Sequence, residues 1–163
     1  MTSDNVHFCL RCGSPLALEP RFGRERPVCV QCGWIYFPDP KVAVTAVVLQ
    51  DRQILLIRRV NVPRQGLWSL PGGFMDADED PVAAVRRECF EETGLTIRVS
   101  RLIAVITGRA HPRGADLLLA YQAEAIGGSL QAGDDADQAE FFPLEALPEL
   151  AFESTAQLLK GLY

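Results

Sequence analysis

The chain has 163 residues, of which 48% are hydrophobic and 23% charged, and a formal net charge of -5 at pH 7. This composition leaves room for one ordinary globular domain with a small appendage; it excludes a disordered chain and argues against a protein that rides on nucleic-acid phosphates. The longest apolar run, Val42 to Leu49, falls far short of the ~20 residues that span a bilayer, and Met1-Thr2-Ser3-Asp4 is not a basic stretch leading into an apolar one, so a cytoplasmic protein is expected.

Four of the five cysteines come early, as Cys9-Leu10-Arg11-Cys12-Gly13 and Cys29-Val30-Gln31-Cys32-Gly33. Each Cys-x-x-Cys turn lets two sulfurs face one point, and the glycine behind it permits a backbone conformation that a side chain resists. The quartet resembles a zinc ribbon, with Cys9, Cys12, Cys29 and Cys32 closing a tetrahedral Zn²⁺ site. Such a site keeps no open position, so this metal is expected to serve folding and not chemistry. Around it Arg11, Arg21, Arg24 and Arg26 balance Asp4, Glu19, Glu25 and Asp39, which gives nucleic acid little to hold. The stiff Pro38-Asp39-Pro40 then reads as a boundary between a ribbon over 1–39 and a second domain over 40–163.

From Val42 to Leu49 and from Ile54 to Arg59 the pattern predicts two strands joined by the polar turn Gln50-Asp51-Arg52-Gln53, a hairpin. A Pro- and Gly-rich loop follows, ending in Gly66-Leu67-Trp68-Ser69-Leu70-Pro71-Gly72-Gly73. A helix is predicted over Asp80 to Thr93: Asp80 caps, Pro81 suits the first turn, Val82, Val85 and Cys89 share a face, and Gly94 stands at the C-cap. Strands are expected near Leu95 to Thr107, with a bend or break inside, and near Asp116 to Ala125. Phe141-Phe142 reads as another short strand, and Phe152 to Leu162 as a closing helix.

On the predicted helix Glu88, Glu91 and Glu92 fall at i, i+3 and i+4 and so crowd one face. Like charges this close call for cations, and hard carboxylate oxygens suit Mg²⁺ or Mn²⁺. An isolated Glu-x-x-Glu-Glu is usually a solvated acidic face. Here the segment from Gly73 to Leu95 also satisfies Gly-x5-Glu-x7-Arg-Glu-U-x-Glu-Glu-x-Gly-U, with U apolar, through Gly73, Glu79, Arg87, Glu88, Cys89, Glu91, Glu92, Gly94 and Leu95.

That segment resembles the Nudix box at every defined position, Cys89 being a less usual choice for its site. The resemblance implies an α/β fold of the α+β kind, a mixed sheet between helices, and a hydrolase acting on phosphoanhydrides. It implies that Glu88, Glu91 and Glu92 ligate catalytic Mg²⁺ or Mn²⁺, with the Gly73 carbonyl as a further ligand, and that Glu79 and Arg87 form a structural clamp. Arg87 is thereby tied to the catalytic set. Metal-activated water would attack one phosphorus of a pyrophosphate. Glu92 or Glu88 is the first choice of proton acceptor, because Gln138 stands where many relatives with the Phe-Phe-Pro pattern carry a glutamate; Asp134, Asp135, Asp137 and Glu140 lie nearby.

A ribbon joined to a Nudix domain is similar to the arrangement in NADH pyrophosphatases and in a group of FAD and ADP-ribose pyrophosphatases. Leu102 to Gly108 replaces the Ser-Gln-Pro-Trp-type segment of the NADH enzymes, which favours FAD or ADP-ribose. Trp68, Phe74 and Arg113 are candidates to meet a substrate ring or phosphate, although such a Trp is more often core. Two other readings use the same box: an enzyme that clears oxidised nucleoside triphosphates, and a non-catalytic nucleotide sensor, which would not need three carboxylates on one face. The expected partner is a small nucleotide, with no membrane; a homodimer is left open.

Overall fold

A computed structural model of the chain describes residues 6–107 and 114–160. Two compact units divide between Asp39 and Pro40. In the first, β1 (Leu16–Arg21) and β2 (Arg24–Cys29) pair antiparallel, with Phe22-Gly23 at the turn. The two knuckles close by the same bond: Gly13 N–H donates to Cys9 O at 2.9 Å and Gly33 N–H to Cys29 O at 3.0 Å. Both glycines sit in the left-handed region, at φ +72° and +70°. Among the described residues of this unit, the buried apolar side chains are Cys9, Pro27, Val28 and Cys29, while Phe8, Leu10, Leu18, Phe22, Val30 and Phe37 are exposed.

In the second unit, β3 (Val42–Gln50) and β4 (Gln53–Arg59) make the expected hairpin. Asp51 and Arg52 both take positive φ, 48° and 62°, the twist that a tight two-residue turn needs. The strands pair only beside that turn, Gln50 with Gln53 and Leu49 with Ile54, and then separate. Parallel pairing joins β3 to β7 (Leu117–Gly128), which in turn pairs antiparallel with β6 (Leu95–Thr107). Register shifts at Thr96/Ile97, Val99/Arg101 and Leu102/Ala104 are the irregularity expected in β6. β4 pairs antiparallel with β8 (Ala136–Pro143) and with the two-residue β5 (Trp68–Ser69).

Into the space left along β3 runs the glycine-rich loop. Ala46 N–H donates to Pro71 O at 2.9 Å, Val44 N–H to Gly73 O at 2.9 Å, and Met75 N–H to Val42 O at 3.0 Å. The mixed sheet is covered by a helix on each face. α1 (Pro81–Thr93) packs Ala84, Val85 and Cys89 on Val44, Ala46, Val48 and Leu55, and α2 (Glu153–Lys160) packs Leu158 and Leu159 on Val47, Ile54 and Leu56. Alternation along β3 and β4 thus serves both layers, as a strand buried on two faces requires. Among the described residues no helix is long and apolar enough to cross a membrane.

Candidate active site

The capping signals place the acidic helix. Asp80 accepts from Val82 N–H at 2.9 Å and Ala83 N–H at 3.1 Å, and Gly94, at φ +69°, donates to Phe90 O at 2.8 Å. With its ends fixed, α1 turns Glu88 and Glu92 inward, 9% and 2% exposed, while Glu91 remains accessible. The glycine-rich loop lies directly against them. Gly72 N–H donates to a Glu92 carboxylate oxygen at 2.8 Å, and a methyl group on Gly73 would collide with the Glu88 carboxylate.

Arg87 ties the assembly together. Its Nε and one terminal nitrogen each meet a Glu79 oxygen at 2.8 Å, the bidentate fork expected of this pair. The other terminal nitrogen donates to Glu88 at 2.8 Å and Glu91 at 3.0 Å, and the fork also reaches Phe74 O at 3.2 Å. Lysine offers a single point charge and could not hold all four groups. The Arg87 bonds pull Glu79 below the usual carboxylate range and push Arg87 itself up.

Burial has the opposite effect inside. Glu88 is pushed up by desolvation despite Arg87, and Glu92 is pushed up to about 8, chiefly by burial, with Glu88 and Asp135 adding to the Gly72 amide's insufficient compensation. Two buried carboxylates one helical turn apart, packed against the Gly72-Gly73 backbone, form a hard-oxygen donor set that is costly to ionise without a cation. These residues fit a divalent metal.

Next to this face opens a cleft of about 780 Å³, whose lining includes Thr45, Arg59, Gly72, Gly73, Phe74, Asp135, Phe152 and Ser154. The volume suits a nucleotide-sized ligand. Phe74 stands on its wall, with Lys41 Nζ 5.8 Å from the ring centroid. Trp68 does not join it: its ring packs edge-on against Phe142 at 4.6 Å, within the apolar layer below α2. Of the two readings open for Trp68, substrate platform or core, the half-buried ring follows the one favoured for such a residue, packing against the apolar layer. Arg113 and His111 lie outside the described residues.

The acidic stretch after β7 is sorted by the fold. Gln131 N–H donates to Thr93 O at 2.9 Å and Gly133 N–H to Glu92 O at 3.3 Å, so this loop satisfies carbonyls at the end of α1. Asp134 and Asp135 are thereby brought close enough to raise the proton affinity of Glu88 and Glu92 respectively. Asp135 also accepts from Asn61 Nδ2 at 2.6 Å. Asp137 is instead committed to Arg58, at 2.8 and 2.9 Å, and Gln138 and Glu140 lie within β8, opposite Arg58 and Leu56. Sequence reasoning missed Arg59, which lines the cleft.

In the first unit the four cysteine sulfurs lie within 4.8 Å of one another. The separations of 3.7 Å for Cys9 and Cys32, 3.4 Å for Cys12 and Cys29, and 3.6 Å for Cys12 and Cys32 are near the ~3.8 Å edge of a tetrahedron with zinc–sulfur bonds of about 2.3 Å. The cluster fits structural zinc.

Comparison with known proteins agrees with this architecture. The NUDIX domain family model matches residues 39–162. An ADP-ribose pyrophosphatase of Methanocaldococcus jannaschii is 46% identical over 115 residues, covering 70% of this chain and 68% of that protein. An NAD-capped RNA hydrolase of Stutzerimonas stutzeri is 31% identical over 160 residues, covering 96% of this chain; the chain spans 55% of the length of that relative. Among solved structures, a Nudix hydrolase from Nitrosomonas europaea superposes with a TM-score of 0.84 at 27% identity, covering 95% of this chain and 89% of that one.

Proposed function

The chain belongs to the Nudix family, and on that premise we propose that this pyrophosphohydrolase cleaves the pyrophosphate bond of a nucleoside diphosphate derivative, ADP-ribose before FAD. The observation that carries the reading is the buried Glu88 and Glu92 pair set against the Gly72-Gly73 backbone beside a nucleotide-sized cleft. Similarity to the archaeal ADP-ribose pyrophosphatase ranks the substrates.

Glu88, Glu91 and Glu92, with the Gly73 carbonyl, hold Mg²⁺ or Mn²⁺. A divalent cation in this set lowers the pKa of water and offsets charge on the departing phosphate. Arg87 and Glu79 keep the helix and loop in register for that task. Asp135 is assigned the role of proton acceptor: it faces the cleft, whereas Glu88 and Glu92 are engaged as ligands and Gln138 is a neutral amide held in β8. Cys9, Cys12, Cys29 and Cys32 hold one zinc, which stabilises the first unit.

A second reading, cleavage of the pyrophosphate in NADH or an NAD cap, is favoured by one observation: the NAD-capped RNA hydrolases align across both units, four-cysteine segment included. A panel of ADP-ribose, FAD, NADH, NAD-capped RNA and nucleoside triphosphates, with Mg²⁺ and Mn²⁺ and with products identified, decides between them. Highest kcat/KM on ADP-ribose, releasing AMP and ribose 5-phosphate, is the expected result. Preference for NADH or capped RNA would install the second reading, and no turnover of any substrate would refute both.

A further inference from the structure

Arg58 and Arg59 are neighbours at the end of β4 with different fates. Arg58 is spent on Asp137, in a fork of 2.8 and 2.9 Å. Among the described residues, Arg59 Nε is buried without a hydrogen-bond partner and its guanidinium enters no ion pair. Leaving such a donor unmet is costly, more so on a cation; Arg26 Nε in the first unit is left in the same way, but of the two only Arg59 lines the cleft, where a ligand can repay the cost.

The surroundings identify that ligand's chemistry. The guanidinium lies over the Phe152 ring, 5.0 Å from its centroid, within cation–π range. Its backbone is pinned on both sides, Arg59 N–H to Leu67 O at 3.0 Å and Gly66 N–H to Arg59 O at 2.8 Å. Both Arg59 and Phe152 line the cleft that holds Gly72, Gly73 and Asp135, and the positive charge is near enough to offset part of the proton affinity of Glu92. A planar, pre-positioned fork beside a carboxylate metal face matches phosphate oxygens.

We propose that Arg59, backed by Phe152, anchors the non-bridging oxygens of the substrate's diphosphate and so selects substrates that carry two linked phosphates. The inference rests on reading the cleft as the substrate site. It extends that reading by naming a specificity-determining residue on the wall of that cleft.

The test uses the full chain and the best substrate of the panel, with Arg59→Met, Arg59→Lys and Phe152→Leu. Arg59→Met is expected to raise KM about 10- to 100-fold with kcat within about threefold, the loss of a charged hydrogen-bonding anchor. Arg59→Lys recovers part of that loss, and Phe152→Leu raises KM about three- to tenfold. Arg58→Met, a change outside the cleft, leaves both constants near wild type. Calorimetric titration with ADP reads binding separately, and Arg59→Met is expected to weaken it by the same factor. Unchanged KM and ADP affinity in Arg59→Met would overturn the proposal while the hydrolase reading stands. A fall in kcat with KM unchanged would also overturn it, making Arg59 only an electrostatic partner of Glu92. If Arg59→Met does not fold, Arg59→Lys and Phe152→Leu decide by the same two readouts. A wild type inactive on the whole panel fails the functional reading instead, and ADP titration of the two proteins then still reports on Arg59.

Discussion

The two units are held together by different means. The second buries side chains from β3, β4, α1 and α2 in two layers, and each fully buried Val, Leu or Ile there contributes about 1.5–3 kcal/mol. The first buries Pro27, Val28 and two of its own cysteines while leaving six large apolar side chains exposed. So few buried groups cannot offset the chain entropy of ordering that segment, and four sulfurs gathered within 4.8 Å supply what the core lacks. Both units carry donor sets that fit a metal, and of opposite kinds: four soft thiolates gathered at one point in the first, and two buried hard carboxylates packed on the Gly72-Gly73 edge of the cleft in the second.

The largest expected effect breaks the comparison most directly. Stripping zinc from the intact chain with a chelator, or introducing Cys32→Ser, is expected to erase the dispersed NMR amide signals of 6–39 and leave those of the second unit. Metal analysis is expected to find about one zinc per chain beforehand, in keeping with apparent binding energies of about 10–16 kcal/mol for structural zinc. A protein without zinc, or one whose first unit survives its removal, would refute the contrast.

Next comes chemistry without unfolding. Glu92→Gln is expected to lower kcat by about 10³-fold, the scale of a lost metal-bound charge in such a site, with the melting temperature not reduced. Near wild-type turnover would sink the assignment of that helix face. Asp135→Asn is expected to cost about 10²-fold in kcat with KM little changed, the behaviour of a lost general base; near wild-type turnover would return that role to Glu88 or Glu92.

The smallest effect lies in the pH dependence of stability. Glu92 binds its proton more tightly when folded, with a pKa of about 8 against an ordinary value of 4.5, so this group's contribution to stability falls as pH rises between those values and is constant beyond them. In chelator, Glu92→Gln should flatten that slope in urea unfolding of the second unit, and Mn²⁺ should restore wild-type stability above pH 8. Identical slopes for variant and wild type would show that burial of Glu92 carries no such cost.

The readable parts of this molecule were those whose signals are local. The Asp80-Pro81 start and Gly94 stop bracket α1 because capping uses neighbours in sequence, and the cysteine knuckles declare themselves the same way. Arg59 is not legible in the sequence, and for Trp68 composition favours core without naming its neighbour, since each packs on a residue far along the chain, Phe152 in one case and Phe142 in the other. An Arg-Arg pair at a strand end looks solvated until Asp137 claims one member and a ring from the start of α2 covers the second. β8 was read only at Phe141-Phe142, because Asp137, Gln138 and Glu140 mask a strand whose pairing with β4 decides its extent. The acidic loop was likewise ambiguous, and its amides on the end of α1 are what divide Asp134 and Asp135 from Asp137.

The early separation of β3 from β4 has a kinetic consequence. Their turn closes locally and quickly, yet the partners that hold the two strands, β7 and β8, come from beyond residue 116, and α2 from later still. Contacts of such long range come at a high loop-closure entropy and slow the search for the native state. A nascent chain that has reached only residue 116 carries the hairpin and the acidic helix sequence but lacks Asp135, Phe152 and Ser154, so the wall of the cleft is completed only by the last third of the chain.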